Sequence, residues 1–214
     1  NVRNVKGVMK KDYRNTVGLT MFLSYHVDNK LTVSFQSGFS DLKWKESPYG
    51  KFTDYVRMNP YDAPYDEYGR LNKTVSWEMA NPLYEAECGN YNEGSDRTFT
   101  NTLSFRWDIV PGLFINGSGS IVTSKERTEI FYSPESNMFN GVSLRSEKGS
   151  LEITNNRYLK YEGKIIANYA RNFGEDLLLT LHAGADIMKE TTTKDGYTAY
   201  GFYKSSLHAP NFAA

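Results

Sequence analysis

RYLKYEGKIIANYARNFGEDLLLTLHAGADIMK, residues 157–189, consists of two alternating runs joined by a tight turn. In the first run Leu159, Tyr161, Ile165, Ala167 and Tyr169 fall on one side, and Lys160, Glu162, Lys164 and Asn168 on the other. In the second, Leu177, Leu179, Leu181, Ala183, Ala185 and Ile187 share a side opposite Thr180, His182, Gly184 and Asp186. A period of two means strand, because successive side chains point to opposite sides of the pleat. Asn172-Phe173-Gly174-Glu175-Asp176 has the composition and length of a hairpin turn. Each run is about the length, roughly 9–11 residues, at which a tilted strand crosses a bilayer.

The same unit recurs upstream. Residues 16–27 alternate, with Val17, Leu19, Met21, Leu23, Tyr25 and Val27 on one side and Phe22 as the exception on the polar side. After Asp28-Asn29-Lys30 the chain returns over 31–41 with Leu31, Val33, Phe35 and Phe39. Residues 98–109 carry Phe99, Leu103, Phe105, Trp107 and Ile109 on one side. Val110-Pro111-Gly112 makes the turn into 113–122. About six strands are therefore expected. The alternation breaks at about 44–97, where Pro48, Pro60, Pro64 and Pro82 exclude long central strands, and again at about 123–156. A short helix is expected near 52–58, a small hairpin near 142–153, and loop over 1–14 and 191–214.

Short turns thus follow every second strand, and the other connections are long. That asymmetry is the pattern of outer-membrane barrels, with short periplasmic turns and long extracellular loops. The expected fold is all-β: antiparallel up-and-down strands forming part of a transmembrane β-barrel. Leu19, Leu23, Phe35, Leu103, Leu179 and Leu181 would face lipid. Tyr25, Trp107, Tyr169 and Phe173, near the short turns, would join an aromatic girdle. Arg106, Lys160, Glu162 and Lys164 would line the interior. Six strands cannot close a membrane barrel, since bacterial examples start at about 8. The opening Asn1-Val2-Arg3-Asn4 has no initiator Met or signal sequence, so an internal piece of a longer chain is expected. The alternative is a soluble β-sandwich that binds carbohydrate, with the same leucines in a dry interior.

Composition narrows the function. Basic and acidic residues balance at 25 each, which argues against a broad nucleic-acid footprint. Cys88 is the single cysteine, so there is no internal disulfide or cysteine-based zinc site. Three scattered histidines, His26, His182 and His208, make a poor metal set. Asp62, Asp66 and Glu67 lack the spacing of a calcium loop. No Gly-x-Ser-x-Gly elbow is present, and Gly117-Ser118-Gly119 lies within a strand without a phosphate-loop continuation. No catalytic residue, metal or cofactor is assigned, and no enzyme activity is expected. The candidates for ligand or lid contact are the aromatics Trp44, Tyr49, Tyr55, Tyr61, Tyr65, Tyr68, Trp77 and Tyr84. Their flat apolar faces suit sugar C–H edges or peptide side chains, and their polar tips tolerate water.

The long first loop carries ESPYGKFTDYVRMNPYDAPYDEYGRL, residues 46–71. Its Ser47-Pro48-Tyr49-Gly50, Asn59-Pro60-Tyr61, Asp66-Glu67 and Gly69 resemble, in order and spacing, a barrel segment of the SusC/RagA-type TonB-dependent transporters. Asn81-Pro82-Leu83-Tyr84, Phe131-Tyr132-Ser133-Pro134 and Asn168-Tyr169 with Phe173 resemble later motifs of that family. The likeness runs from about Arg14 to Tyr203. It implies that residues 1–214 are a partial barrel domain, the plug, TonB box and final strand lying outside it. It also implies a barrel of about 22 strands with a plugged lumen, in the outer membrane of a Gram-negative, Bacteroidota-type bacterium. The activity implied is nutrient uptake of glycans, or of peptides in some branches. The implied partners are a SusD-like surface lipoprotein as lid, TonB acting through the plug, and outer-membrane lipid.

Overall fold

The computed structural model describes residues 1–75, 79–173, 177–207 and 209–213. Seven strands form one antiparallel sheet in the order β1-β2-β3-β4-β5-β6-β7. They are β1 (Val2–Lys6), β2 (Tyr13–His26), β3 (Leu31–Lys45), β4 (Tyr91–Val110), β5 (Leu113–Tyr132), β6 (Ser150–Phe173) and β7 (Leu177–Tyr200). Every strand pairs with its sequence neighbours, which is the up-and-down topology expected from the alternation. The sandwich alternative requires two sheets, and here all seven strands lie in one. Among the described residues no helix is long and apolar enough to cross a membrane.

The expected strands are all present, and most are longer than alternation showed. The first loop shrinks to the segment between Lys45 and Tyr91, and the second to that between Tyr132 and Ser150. The hairpin expected near 142–153 is absent: a 3-10 turn, Arg145–Glu147, leads straight into β6. Strand β7 runs on to Tyr200, where loop was expected, and Val2–Lys6 adds a seventh strand within the expected opening loop. The cause is common to these cases. Near the long loops both faces of the strands are polar, so hydropathy carries no period. The strands persist there through ladder hydrogen bonds and directly opposed charges. Asp41 faces Arg97 at 3.1 Å, and Lys45 faces Glu93 at 2.8 Å. Opposite charges at paired positions stabilise a sheet by a few tenths of a kcal/mol, up to about 1.

The short turns fall at one end. Between β2 and β3 the Asp28 carboxylate accepts from the N–H groups of Lys30 and Leu31, at 2.7 and 2.8 Å. Between β4 and β5, Pro111 precedes Gly112 at φ +87°, the order a type II turn requires. A Cβ on Gly112 would sit 2.2 Å from the carbonyl oxygen of Ala170, so glycine is needed twice over at that position. Within the third turn, Gly174-Glu175-Asp176 lies outside the described residues. The opposite end holds both long loops, the tail after β7, and the compact connection between β1 and β2.

Register places the odd-numbered residues of β2 to β7 on one face. One row runs Leu23, Phe35, Leu103, Gly119, Gly163, Ile187. Leu19, Leu23, Leu103, Leu179 and Leu181 are exposed on this face, and Phe35 is half-buried between its neighbours. Among the described residues, nothing folds over them. The even face is mostly polar, rich in Thr and Ser with Arg106, Lys164, His26 and His182 on it, and is interrupted by Phe22, Phe114, Val122, Ile166 and Met188. Lys160 there pairs with Glu162 at 2.9 Å and Glu190 at 3.8 Å.

The apolar band on the odd face has a slanted upper edge. The last apolar residues before polar ones take over are Val17, Phe39, Phe99, Ile121, Leu159 and Ile187 on successive strands. From Val17 to Ile187 this edge moves six residues along the ladder in five strand steps, with Leu159 lying above the line. At about 3.3 Å per residue and 4.8 Å between strands, that drift equals a strand tilt of about 40°. Membrane barrels tilt their strands by about 35–45°. A flat hydrocarbon slab crossing tilted strands leaves such an edge.

Candidate functional site

Among the described residues, the well-buried apolar cluster sits at the long-loop end. Phe131, Leu151, Ile153 and Phe202 are almost fully buried. Tyr91 stacks on Phe131 with ring centres 5.4 Å apart, and Phe202 meets Phe131 edge-on at 5.4 Å. Phe202 arrives because Gly201 takes φ +84° and the Phe202 N–H donates to the Lys148 carbonyl at 2.9 Å, folding the tail over the sheet.

Polar residues join the two long loops above this cluster. Two short helices organise the first loop, α1 (Phe52–Val56) where a helix was expected, and α2 (Pro82–Glu87). Asn81 caps α2 by accepting from the Leu83 N–H at 3.1 Å. Its side-chain amide donates to the carbonyls of Pro64 and Asn72, at 2.9 and 2.8 Å. It is fully buried and satisfied. Glu85 reaches across to the second loop, accepting from Ser136 Oγ and the Asn137 N–H, each at 2.7 Å, and from Asn90 Nδ2 at 2.8 Å. Lys73 Nζ donates to the Glu135 carbonyl at 3.2 Å, and Asn137 Nδ2 to the Lys73 carbonyl at 2.7 Å. These bonds make the two loops one ordered cap. A cavity of about 780 Å³ opens between them, lined by Thr74, Glu85, Tyr132, Ser136, Asn137 and Asn140 among others.

The aromatic candidates divide into two groups. Tyr61, Tyr65 and Tyr68 are exposed on the outer surface of the first loop, Tyr61 almost completely at 93%. Each is held by local hydrogen bonds. The Tyr61 N–H donates to Asn59 Oδ1 at 3.1 Å. Tyr65 bridges Leu71 across a small hairpin with Tyr68 at its tip. Asp66 accepts from the N–H groups of Tyr68 and Arg70, at 2.9 and 2.8 Å. The Arg70 backbone N–H does most to hold the Asp66 carboxyl below the usual carboxylate range. Tyr49, Tyr55 and Tyr84 instead pack the loop. Tyr55 donates to the Tyr49 carbonyl at 2.8 Å, and Lys73 lies over the Tyr84 ring at 5.5 Å. Trp44 is a correction: it belongs to β3, not to the loop, because the strand outlasts its apolar pattern. Its ring covers Gly94, where a Cβ would come within 2.7 Å of the indole. Trp77 and His208 lie outside the described residues.

Sequence reasoning missed Asn81, Glu85, Ser136 and Asn137. Only the Asn-Pro start of α2 signalled a cap. Asp62 accepts from the Asn59 N–H at 2.9 Å, so this acid, like Asp66, closes a turn. Among the described residues no three side chains are grouped to hold a metal ion. Burial and the nearby Glu85 charge push the Cys88 thiol up to about 11. With ordinary thiols near 8.5, Cys88 should carry on the order of 100-fold less thiolate at pH 8 and be alkylated correspondingly slowly. Mass spectrometry of iodoacetamide-treated protein checks this, with a urea-unfolded sample as reference; equal rates would contradict it.

No family model matches the chain, and no curated protein matches it. Solved structures do. The chain superposes on the RagAB peptide transporter with a TM-score of 0.74 at 15% identity. The RagAB peptide importer matches in its closed-closed state (TM-score 0.73, 15% identity) and its open-open state (0.73, 14%). Each match covers 95% of this chain and 23% of the other, so the chain spans less than a quarter of the length of those proteins. Identity this low speaks for the fold. The chain has the fold of a segment of the RagAB importer, the SusC/RagA-type architecture that its loop motifs resemble.

Proposed function

We propose that residues 1–214 are part of the β-barrel domain of an outer-membrane TonB-dependent importer of a Gram-negative, Bacteroidota-type bacterium. The observation that carries this reading is the slanted apolar band: one uncovered face, apolar over a membrane's depth, on strands tilted by about 40°. On this reading Leu19, Leu23, Phe35, Leu103, Leu179 and Leu181 meet lipid. The Thr- and Ser-lined face meets a plug or a hydrated lumen, and further strands continue the sheet from β1 and β7. The loop cap is extracellular. Its exposed Tyr61, Tyr65 and Tyr68 contact substrate or a SusD-like lipoprotein lid, and TonB supplies energy through the plug. The role is transport rather than catalysis.

The cargo is a peptide or a glycan, and the RagAB likeness favours the peptide. Replacing residues 59–72 by a Gly/Ser linker in the chromosomal gene tests both. Growth on a peptide mixture as sole nitrogen source, or on oligosaccharide as sole carbon source, is expected to fall to that of a gene-disrupted strain. The carbon or nitrogen source affected identifies the cargo class. Disruption of the gene without effect on uptake of either would overturn the transport reading.

A further inference from the structure

Directly above the apolar band, Arg97, Lys125 and Arg157 occupy one row of the odd face on β4, β5 and β6. Arg97 is opposite Lys125, and Lys125 opposite Arg157. Like charges at paired positions destabilise a sheet. Arg97 has Asp41 beside it at 3.1 Å. Among the described residues, no carboxylate lies within ion-pair range of Lys125 or Arg157. The same holds for Lys189, which follows Ile187 on β7. All three are exposed. Three uncompensated cations on consecutive strands ask for an anion from outside the chain.

Below Lys125 and Arg157, past the intervening Thr123–Leu159 row, β3 to β7 form a groove of about 730 Å³ on the same face. Leu103, Ile121, Tyr161 and Ile187 wall it, and Gly119 and Gly163 form its floor. Lys189 lines its upper end. The volume is in the range of small-molecule sites, roughly 300–1,000 Å³. A groove of mostly apolar walls, with Lys189 at its upper end and Lys125 and Arg157 two rows beyond it toward the loops, is complementary to an amphiphile whose anionic head points the same way.

We propose that this face binds a lipid of the loop-side leaflet. An acyl chain lies in the groove over Gly119 and Gly163, and a negatively charged phosphate head lies among Lys125, Arg157 and Lys189. The proposal rests on the membrane reading above. Each cation near a charged lipid surface contributes about a factor of five, so the trio is worth on the order of 100-fold in retention.

The test uses the complete transporter in phosphatidylcholine nanodiscs doped with phosphatidylglycerol, with bound lipid counted by native mass spectrometry. The wild type should retain phosphatidylglycerol preferentially, and the Lys125→Gln, Arg157→Gln, Lys189→Gln triple variant should lose that preference. Gly119→Leu fills the groove where a Cβ has nothing closer than 4.0 Å. It should lower retention with all charges intact, heat-modifiability on gels confirming that the barrel folds. Inorganic phosphate at millimolar concentration should not displace the lipid. Equal retention by wild type and triple variant would overturn the proposal, as would displacement by phosphate or a Gly119→Leu variant that retains lipid normally. Failure of the membrane reading looks different: no barrel would enter nanodiscs.

Discussion

Leu181→Arg in the complete barrel is expected to cost about 2–4 kcal/mol, the penalty for a cation on the lipid face near the bilayer midplane. Leu181 is exposed, opposite Tyr169, and lies near the middle of the apolar run of β7. The side chain is 54% exposed and touches only its neighbours along the sheet, so in water arginine there would be tolerated within about 0.5 kcal/mol. The penalty therefore reports the solvent, not the fold. Urea titration of the detergent- or liposome-folded barrel, followed by heat-modifiability, measures it. Thr180→Arg, one residue away on the other face, is the control and should cost far less. Equal small effects from both would remove the lipid assignment.

Asn81→Ala has the second largest expected effect, and it is local. The variant loses the cap of α2 and leaves the part-buried Asn72 carbonyl without its donor, while the Pro64 carbonyl keeps the Asn72 N–H at 2.9 Å. A lost cap costs about 1 kcal/mol, and an unsatisfied buried group about 1–3. Roughly 3 kcal/mol of loop order should go, which raises amide exchange in the first loop on the order of 100-fold. The strands should exchange as before, because the loop cap and the ladder are separate cooperative units. Hydrogen exchange read by mass spectrometry distinguishes the two. An unchanged loop would show that the cap is held by Glu85 and the aromatic packing instead.

The two variants mark what could be read from the chain alone. Where one face of a strand is greasy and the other wet, the period of two is visible, and residues 157–189 sufficed for strand, turn and face. The Ser-Pro-Tyr and Asn-Pro-Tyr motifs pointed to the right architecture across a 15% identity gap. The strand extensions beyond the band were illegible to hydropathy, although the charge alternation of Asp41, Lys43 and Lys45 carried a period of its own. The loop network was illegible for a different reason. Asn81 and Glu85 bind groups up to 52 residues away, and no local pattern encodes such a partner.

Local sequence decided the pleat, the turns and which side of each strand is apolar, because these depend on neighbours two to five residues apart. Tertiary structure decided what each apolar residue meets. Leu181 and Leu151 lie on the same odd face, yet Leu181 is 54% exposed and Leu151 is 1% exposed. Leu151 is covered because the tail brings Phe202 over it, and none of the described residues folds over Leu181. The physical reason is that alternation specifies a face, while burial depends on whether a distant part of the chain, or a membrane, arrives to cover it.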